Sequence, residues 1–118
     1  MTMTFRHIDR SGALESRARE LGERLRRYHS GITLCHVTLE GAVDHRAGGA
    51  NYAVKIHLSV PGAQIHADSG HHDGAVQRDV YIALRDAYAS ARRQLQDLRR
   101  DRGKSSLASR ARLSEARR

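Results

Sequence analysis

The chain has one cysteine, one proline and no tryptophan, and only two of its 21 basic residues, Lys55 and Lys104, are lysine. A single cysteine, Cys35, rules out an internal disulfide and suits a reducing compartment. No run of about 18 apolar residues occurs, so no segment reads as a membrane-spanning helix. The N-terminus lacks the basic-then-apolar layout of a secretory signal. The expectation is a soluble, cytoplasmic protein with no membrane partner. No glycine-rich phosphate loop is present, and Cys35 alternates onto an apolar strand face, where it reads as a small core filler. Neither a cofactor nor a small-molecule substrate is expected, and nothing in the chain signals an enzyme. Eight histidines raise the question of a metal. His71-His72-Asp73 is adjacent and lacks ligand spacing, so no metal site is expected there. His36, His57 and His66 fall on one strand face, where they could meet a divalent ion or serve as exposed polar filling.

What the chain does have is arginine, unevenly placed. The 118 residues suit one domain and carry a formal net charge of +8. Residues 1–98 hold 13 basic and 11 acidic side chains, whereas residues 99–118 hold eight and two. A nearly balanced body thus precedes a cationic arm, a pattern associated with nucleic acid or another anionic surface. Gly103, Ser105 and Ser106 are expected to interrupt helix there, leaving 1–102 as the body and 103–118 as a basic tail. The tail reads either as flexible or as the fraying end of the preceding helix.

Periodicity supplies the elements. Met3, Phe5 and His7 alternate with polar neighbours as a short strand. Asp9 or Ser11 can cap a helix whose stripe is Leu14, Ala18, Leu21, Leu25 and Tyr28, with Gly31 available for a left-handed end. Thr33–Glu40 reads as a strand, Gly41–Ala50 as a flexible loop, and Tyr52–Val60 as a strictly alternating strand. Pro61-Gly62 turns the chain into a strand carrying Ala63, Ile65 and Ala67. A two-residue turn sets Leu58 opposite Ile65 and Ile56 opposite Ala67 on the core side. It also sets Lys55 opposite Asp68 and His57 opposite His66 on the other. After a Ser69–Gly74 loop, a second helix begins between Asp73 and Asp79, with Val80, Leu84, Ala87, Ala91, Leu95 and Leu98 as its apolar arc. The order is β-α-β-β-β-α. An α+β fold follows, with a four-stranded mixed sheet and both helices packed on one face. The first two strands, joined through a helix, should be parallel.

Opposite that arc, Arg78, Arg85, Arg92 and Arg99 recur every seven residues and form one stripe roughly 30 Å long. None has an acid three or four residues away, so the stripe reads as unneutralised. It can be a surface for a polyanion or merely a solvated helix face. Arg93 and Arg100 lie beside it, with Asp97 four residues after Arg93. Tyr81 and Tyr88 flank it, placed either to stack on a base or to pack at the helix–sheet rim. On the first helix, Glu15–Arg19, Glu20–Arg24 and Glu23–Arg27 are spaced as i,i+4 pairs, which suffices to explain those arginines. Arg17 and Arg24 lie on one side of the stripe and could line a groove between the helices as secondary RNA contacts.

The stretch Asp79-Val-Tyr-Ile-Ala-Leu-Arg-Asp-Ala-Tyr-Ala-Ser-Ala-Arg-Arg-Gln-Leu95 resembles the second helix of the ribosome hibernation-promoting factor family. That family includes the ribosome-associated inhibitor called protein Y and was once labelled sigma-54 modulation protein. Ile8-Asp9 with Ser11, and Val60-Pro61-Gly62 followed by Ile65-His66-Ala67, match it as well. The resemblance spans residues 3 to about 100. Ser69–Arg78 is longer here than in the shortest members. The resemblance implies a short-form, non-catalytic translation inhibitor that occupies the messenger and transfer RNA channel of the small ribosomal subunit. Its partners would be that subunit and its rRNA, and another factor would complete any ribosome dimerisation. Arg78, Arg85, Arg92, Arg93, Arg99 and Arg100 would grip phosphate, since arginine does so bidentately. The residues also leave open a protein-interaction regulator of transcription, as the older label proposed, and a general RNA-binding chaperone.

Overall fold

The first helix starts where Ser11 can satisfy it. The Ser11 hydroxyl accepts the Leu14 N–H at 3.3 Å, covering one of the donors that a helix N-terminus leaves open. In the computed structural model, which describes residues 1–44, 49–69 and 79–116, that helix is α1 (Gly12–Tyr28). The strands are β1 (Thr2–Arg6), β2 (Leu34–Asp44), β3 (Gly49–Val60) and β4 (Ala63–Asp68), and α2 spans Val80–Ala116. Among the described residues no helix is long and apolar enough to cross a membrane.

The sheet order is β1-β2-β3-β4, with β1 parallel to β2 and the other two pairings antiparallel. Strands β1, β2 and β4 therefore run in the same direction, and both helices start from the end of the sheet where those strands finish. One face carries Cys35, Val37, Leu39, Val54, Ile56, Leu58, Ile65 and Ala67, all buried. The same core takes Leu14, Ala18, Leu21 and Leu25 from α1 and Ala83, Leu84, Ala87, Ala91 and Leu95 from α2. Both helices thus lie on one side, as a single apolar sheet face requires. Helix α2 covers β3 and β4. Gly22 brings α1 over Met1 and Cys35.

The hairpin register is the one that the turn dictates. Gly62 has φ 81° behind Pro61, the backbone of a type II turn. Lys55 pairs with Asp68, Ile56 with Ala67, His57 with His66 and Leu58 with Ile65. Counting outward from the turn, His57 and His66 form a non-hydrogen-bonded pair, in which side chains sit closest. Their rings stack with centroids 4.4 Å apart and planes within 10°. The His66 carbonyl points off the edge of the sheet and accepts the Gln94 side-chain N–H at 3.0 Å, which ties α2 to β4.

Three sequence expectations need correction. Gly41–Ala50 is not a loop throughout: Ala42, Val43 and Asp44 pair with Asn51, Ala50 and Gly49. A ladder already in register extends by backbone hydrogen bonds, which glycine and alanine supply as well as any residue. Gly31 does not end α1 in a left-handed turn, since Gly62 is the only positive-φ glycine among the described residues. Instead His29 turns extended at φ −137° while its N–H still donates to the Leu25 carbonyl. Finally, α2 continues through Gly103, Ser105 and Ser106 to Ala116. One glycine costs a helix interior only about 1 kcal/mol, and strong helix formers surround it here. His71, His72, Asp73, Gly74 and Arg78 lie outside the described residues.

Candidate nucleic-acid interface

The outer face of α2 is fixed in orientation at both of its flanks. At its start, Asp79 caps the helix: its carboxylate accepts the Tyr81 N–H at 2.9 Å and its carbonyl the Ala83 N–H at 3.0 Å. Along its length, Leu84, Ala87, Ala91 and Leu95 are sealed in the core, which turns Arg85, Arg92, Arg93 and Arg99 outward, all exposed. Three rungs of the seven-residue ladder are thereby in view, spanning about 21 Å. The fourth, Arg78, is outside the described residues, as is the side chain of Arg100.

The rungs are not equivalent. Arg85 reaches sideways to Asp86 at 3.5 Å, so the expectation of a wholly unneutralised stripe fails at this position. Adjacent residues on a helix do not normally face each other. The contact is long and both side chains are well exposed, at 69% and 42%, which makes it weak. Arg92, Arg93 and Arg99 take part in none of the ion pairs found among the described residues. Arg92 and Arg99 instead converge on one aromatic ring. Their guanidinium carbons lie 5.3 and 5.6 Å from the centroid of Tyr28, on the last turn of α1.

Helix α1 holds its arginines differently. Arg19 bonds Glu15 at 2.9 Å and Arg24 bonds Glu20 at 3.0 Å, as the spacing requires. Glu23–Arg27 is not among the ion pairs of the described residues. Arg17, which the i,i+4 pairs leave out, takes the second oxygen of Glu20 at 3.0 Å across an i,i+3 step. A hydrogen bond from Arg17 and its charge, with Arg24 adding to both, hold the Glu20 carboxyl below its ordinary value. Arg17, Arg24 and Tyr28 share one flank of α1, seven and four residues apart. Because the Tyr28 ring lies against Arg92 and Arg99, that flank faces α2. Glu20 thus neutralises both of the α1 arginines that were expected to line a groove between the helices.

The tyrosines divide. Tyr88 is partly buried and packs against the core, whereas Tyr81 is 45% exposed at the start of α2. Tyr28 was legible only as the last apolar position of α1. Its contact with the ladder depends on how the two helices sit side by side, for which the sequence carries no signal.

The other face of the sheet is polar and open. His36, His57 and His66 occupy neighbouring register positions there, with the Thr2 and Thr4 hydroxyls on the two nitrogens of His36 and the Gln64 side-chain oxygen 3.1 Å from His57 Nε2. The stacked rings of His57 and His66 point their nitrogens along parallel planes rather than at one point. No group of three metal-ligating side chains suited to an ion occurs among the described residues. Cys35 is buried among apolar neighbours, and burial pushes its thiol pKa up, opposite to what a nucleophile needs.

Solved structures of the same fold include a ribosomal subunit interface protein from Coxiella burnetii. It is 18% identical, with a TM-score of 0.63 over 84% of this chain and 98% of that one. The N-terminal domain of protein Y from Thermus thermophilus is 15% identical, with a TM-score of 0.60 over 82% and 94%. No curated protein matches the chain in sequence. The family model described as sigma 54 modulation protein / S30EA ribosomal protein matches residues 1–102. With most of its length inside that match, and the strand order, turn and helix motif in place, the chain belongs to the sigma 54 modulation protein / S30EA ribosomal protein family.

Proposed function

We propose that this protein is a cytoplasmic, ribosome-associated translation inhibitor that binds the small subunit, in the channel for messenger and transfer RNA, through the outer face of α2. The observation that carries this reading is the set of exposed guanidinia without acidic partners among the described residues, Arg92, Arg93 and Arg99, held on a helix whose other side is locked into the core. Such a face offers phosphates charge-assisted, bidentate partners at fixed spacing without first breaking an ion pair. Membership of a family that includes an S30EA ribosomal protein supports the choice of ribosomal RNA, and the two structural neighbours carry ribosomal names. Inhibition would follow from occupancy alone, with no bond made or broken in the protein. Arg78 and Arg100 extend the same face at either end in this reading, Arg17 and Arg24 contribute after releasing Glu20, and Tyr81 is free to stack on a base. Residues 103–118 act as a basic arm that extends the charge of α2 beyond the folded body.

The test is reversal of two rungs. Arg85→Glu with Arg92→Glu should abolish co-sedimentation with purified small subunits and relieve inhibition of translation in vitro. The fold should survive, because both side chains are exposed. Removing residues 104–118 should cost less than the double reversal. A double-reversal variant that binds small subunits as tightly as wild type would demote the ladder to a solvated face. The reading as a protein-interaction regulator of transcription would then lead.

A further inference from the structure

Most surface arginines search many rotamers, and each that is immobilised on binding subtracts from affinity. Two of the ladder arginines, though exposed, lie against an aromatic ring in the free protein. Arg92 and Arg99 stand two turns apart on α2, about 10 Å along the axis, yet both guanidinia lie against the one ring of Tyr28. That ring is itself held, being partly buried and packed against the core at the end of α1. The following residue, His29, keeps a backbone bond to Leu25 that fixes the helix end. Sharing one ring brings the two cations within about a Debye length of each other, ~10 Å at 0.1 M salt. No acid lies within ion-pair distance of either among the described residues. The negative face of the ring compensates part of their repulsion, and a bound anion would relieve the rest. Arg85, which turns to Asp86, and Arg93, which points about 100° away from Arg92 around the helix, share none of this.

We propose that Tyr28 is a positioning residue of the RNA-binding face, holding Arg92 and Arg99 together as a preformed two-arginine phosphate clamp. This rests on the ribosomal-RNA reading above. The ring is the working part and the hydroxyl is not, so the conservative variant separates clamp from packing. Binding of the full chain to purified small ribosomal subunits is measured across a salt series for wild type, Tyr28→Phe and Tyr28→Leu. Tyr28→Phe should bind as wild type. Tyr28→Leu should lose about fivefold in affinity, the scale of freeing one or two long side chains. Its log–log salt slope should stay unchanged, because both charges remain. In the free wild-type protein, the side-chain methylene protons of Arg92 and Arg99, unlike those of Arg93, should show upfield NMR shifts from the Tyr28 ring current.

The outcomes separate. If wild type does not bind small subunits, the ribosomal reading falls and the clamp falls with it. If wild type binds and Tyr28→Leu binds equally well, the clamp alone is overturned. Should Tyr28→Leu fail to fold, the wild-type shifts decide. Upfield shifts retained in a tightly binding Tyr28→Phe support the clamp, and their absence overturns it.

Discussion

The contrast between Arg92 and Arg17 gives the sharpest quantitative expectation. Both are arginines on the helical face of the domain, and a count of charges treats them alike. Arg92 has no acidic partner among the described residues, so a phosphate gains its guanidinium without displacing a carboxylate. Hydrogen bonds to charged groups contribute about 1.5–3 kcal/mol each. Arg92→Ala should therefore weaken small-subunit binding about 10- to 150-fold and flatten the log–log salt slope by about one. Arg17 is already paired with Glu20 at 3.0 Å, and a phosphate approaching it meets that carboxylate as well. Arg17→Ala should cost no more than about threefold, the scale of an exposed ion pair. Glu20→Gln makes the converse point, because one carboxylate neutralises both Arg17 and Arg24. Its loss should tighten binding about two- to fivefold and steepen the slope. The same variant tests the pH side. A carboxyl held below its ordinary 4.5 favours the folded state above that value, and the advantage is lost as pH falls through the depressed pKa. Any stability difference between wild type and Glu20→Gln should vanish in that acid window. Filter binding or fluorescence titration over a salt series measures the affinities, and chemical denaturation measures the stabilities. Equal losses for Arg17→Ala and Arg92→Ala, or no gain from Glu20→Gln, would refute the ion-pair reasoning.

Two glycines should respond in opposite directions. A Cβ at Gly41 would stand 2.7 Å from the His7 carbonyl oxygen, a backbone atom of a residue already at φ 55°. Gly41→Ala should therefore destabilise by about 1–3 kcal/mol in denaturant titration. At Gly22 the obstacle is the Met1 sulfur, part of a flexible side chain. Gly22→Ala should match or exceed wild type, since alanine is worth up to about 1 kcal/mol in a helix interior. Cys35 should resist iodoacetamide in the native protein and react promptly once the chain is unfolded. Burial raises its pKa above the ordinary 9.0, so its contribution to stability is present below about pH 9 and lost as pH climbs through the raised value.

The sequence by itself determined much of this molecule, for reasons that are local. Strict alternation from Tyr52 to Val60 and a two-residue Pro61-Gly62 turn leave one hairpin register that buries Ile56, Leu58, Ile65 and Ala67 together. That same register delivers the His57–His66 stack. The apolar arc of α2 fixes which way its arginines point, because a helix with one buried stripe has only one exposed face. What the sequence could not decide is what those arginines meet. Whether a guanidinium is free, neutralised or stacked depends on neighbours brought close by packing and rotamer choice, at ranges of 3–6 Å that periodicity does not resolve. The spacing rule named Glu20 as partner of Arg24, but the structure gave it to Arg17 as well. The rule saw no acid near Arg85, and the structure found Asp86. Tyr28 looked like the end of an apolar stripe. Only the lateral fit of α1 against α2, set by the volumes of the core between them, placed its ring under Arg92 and Arg99.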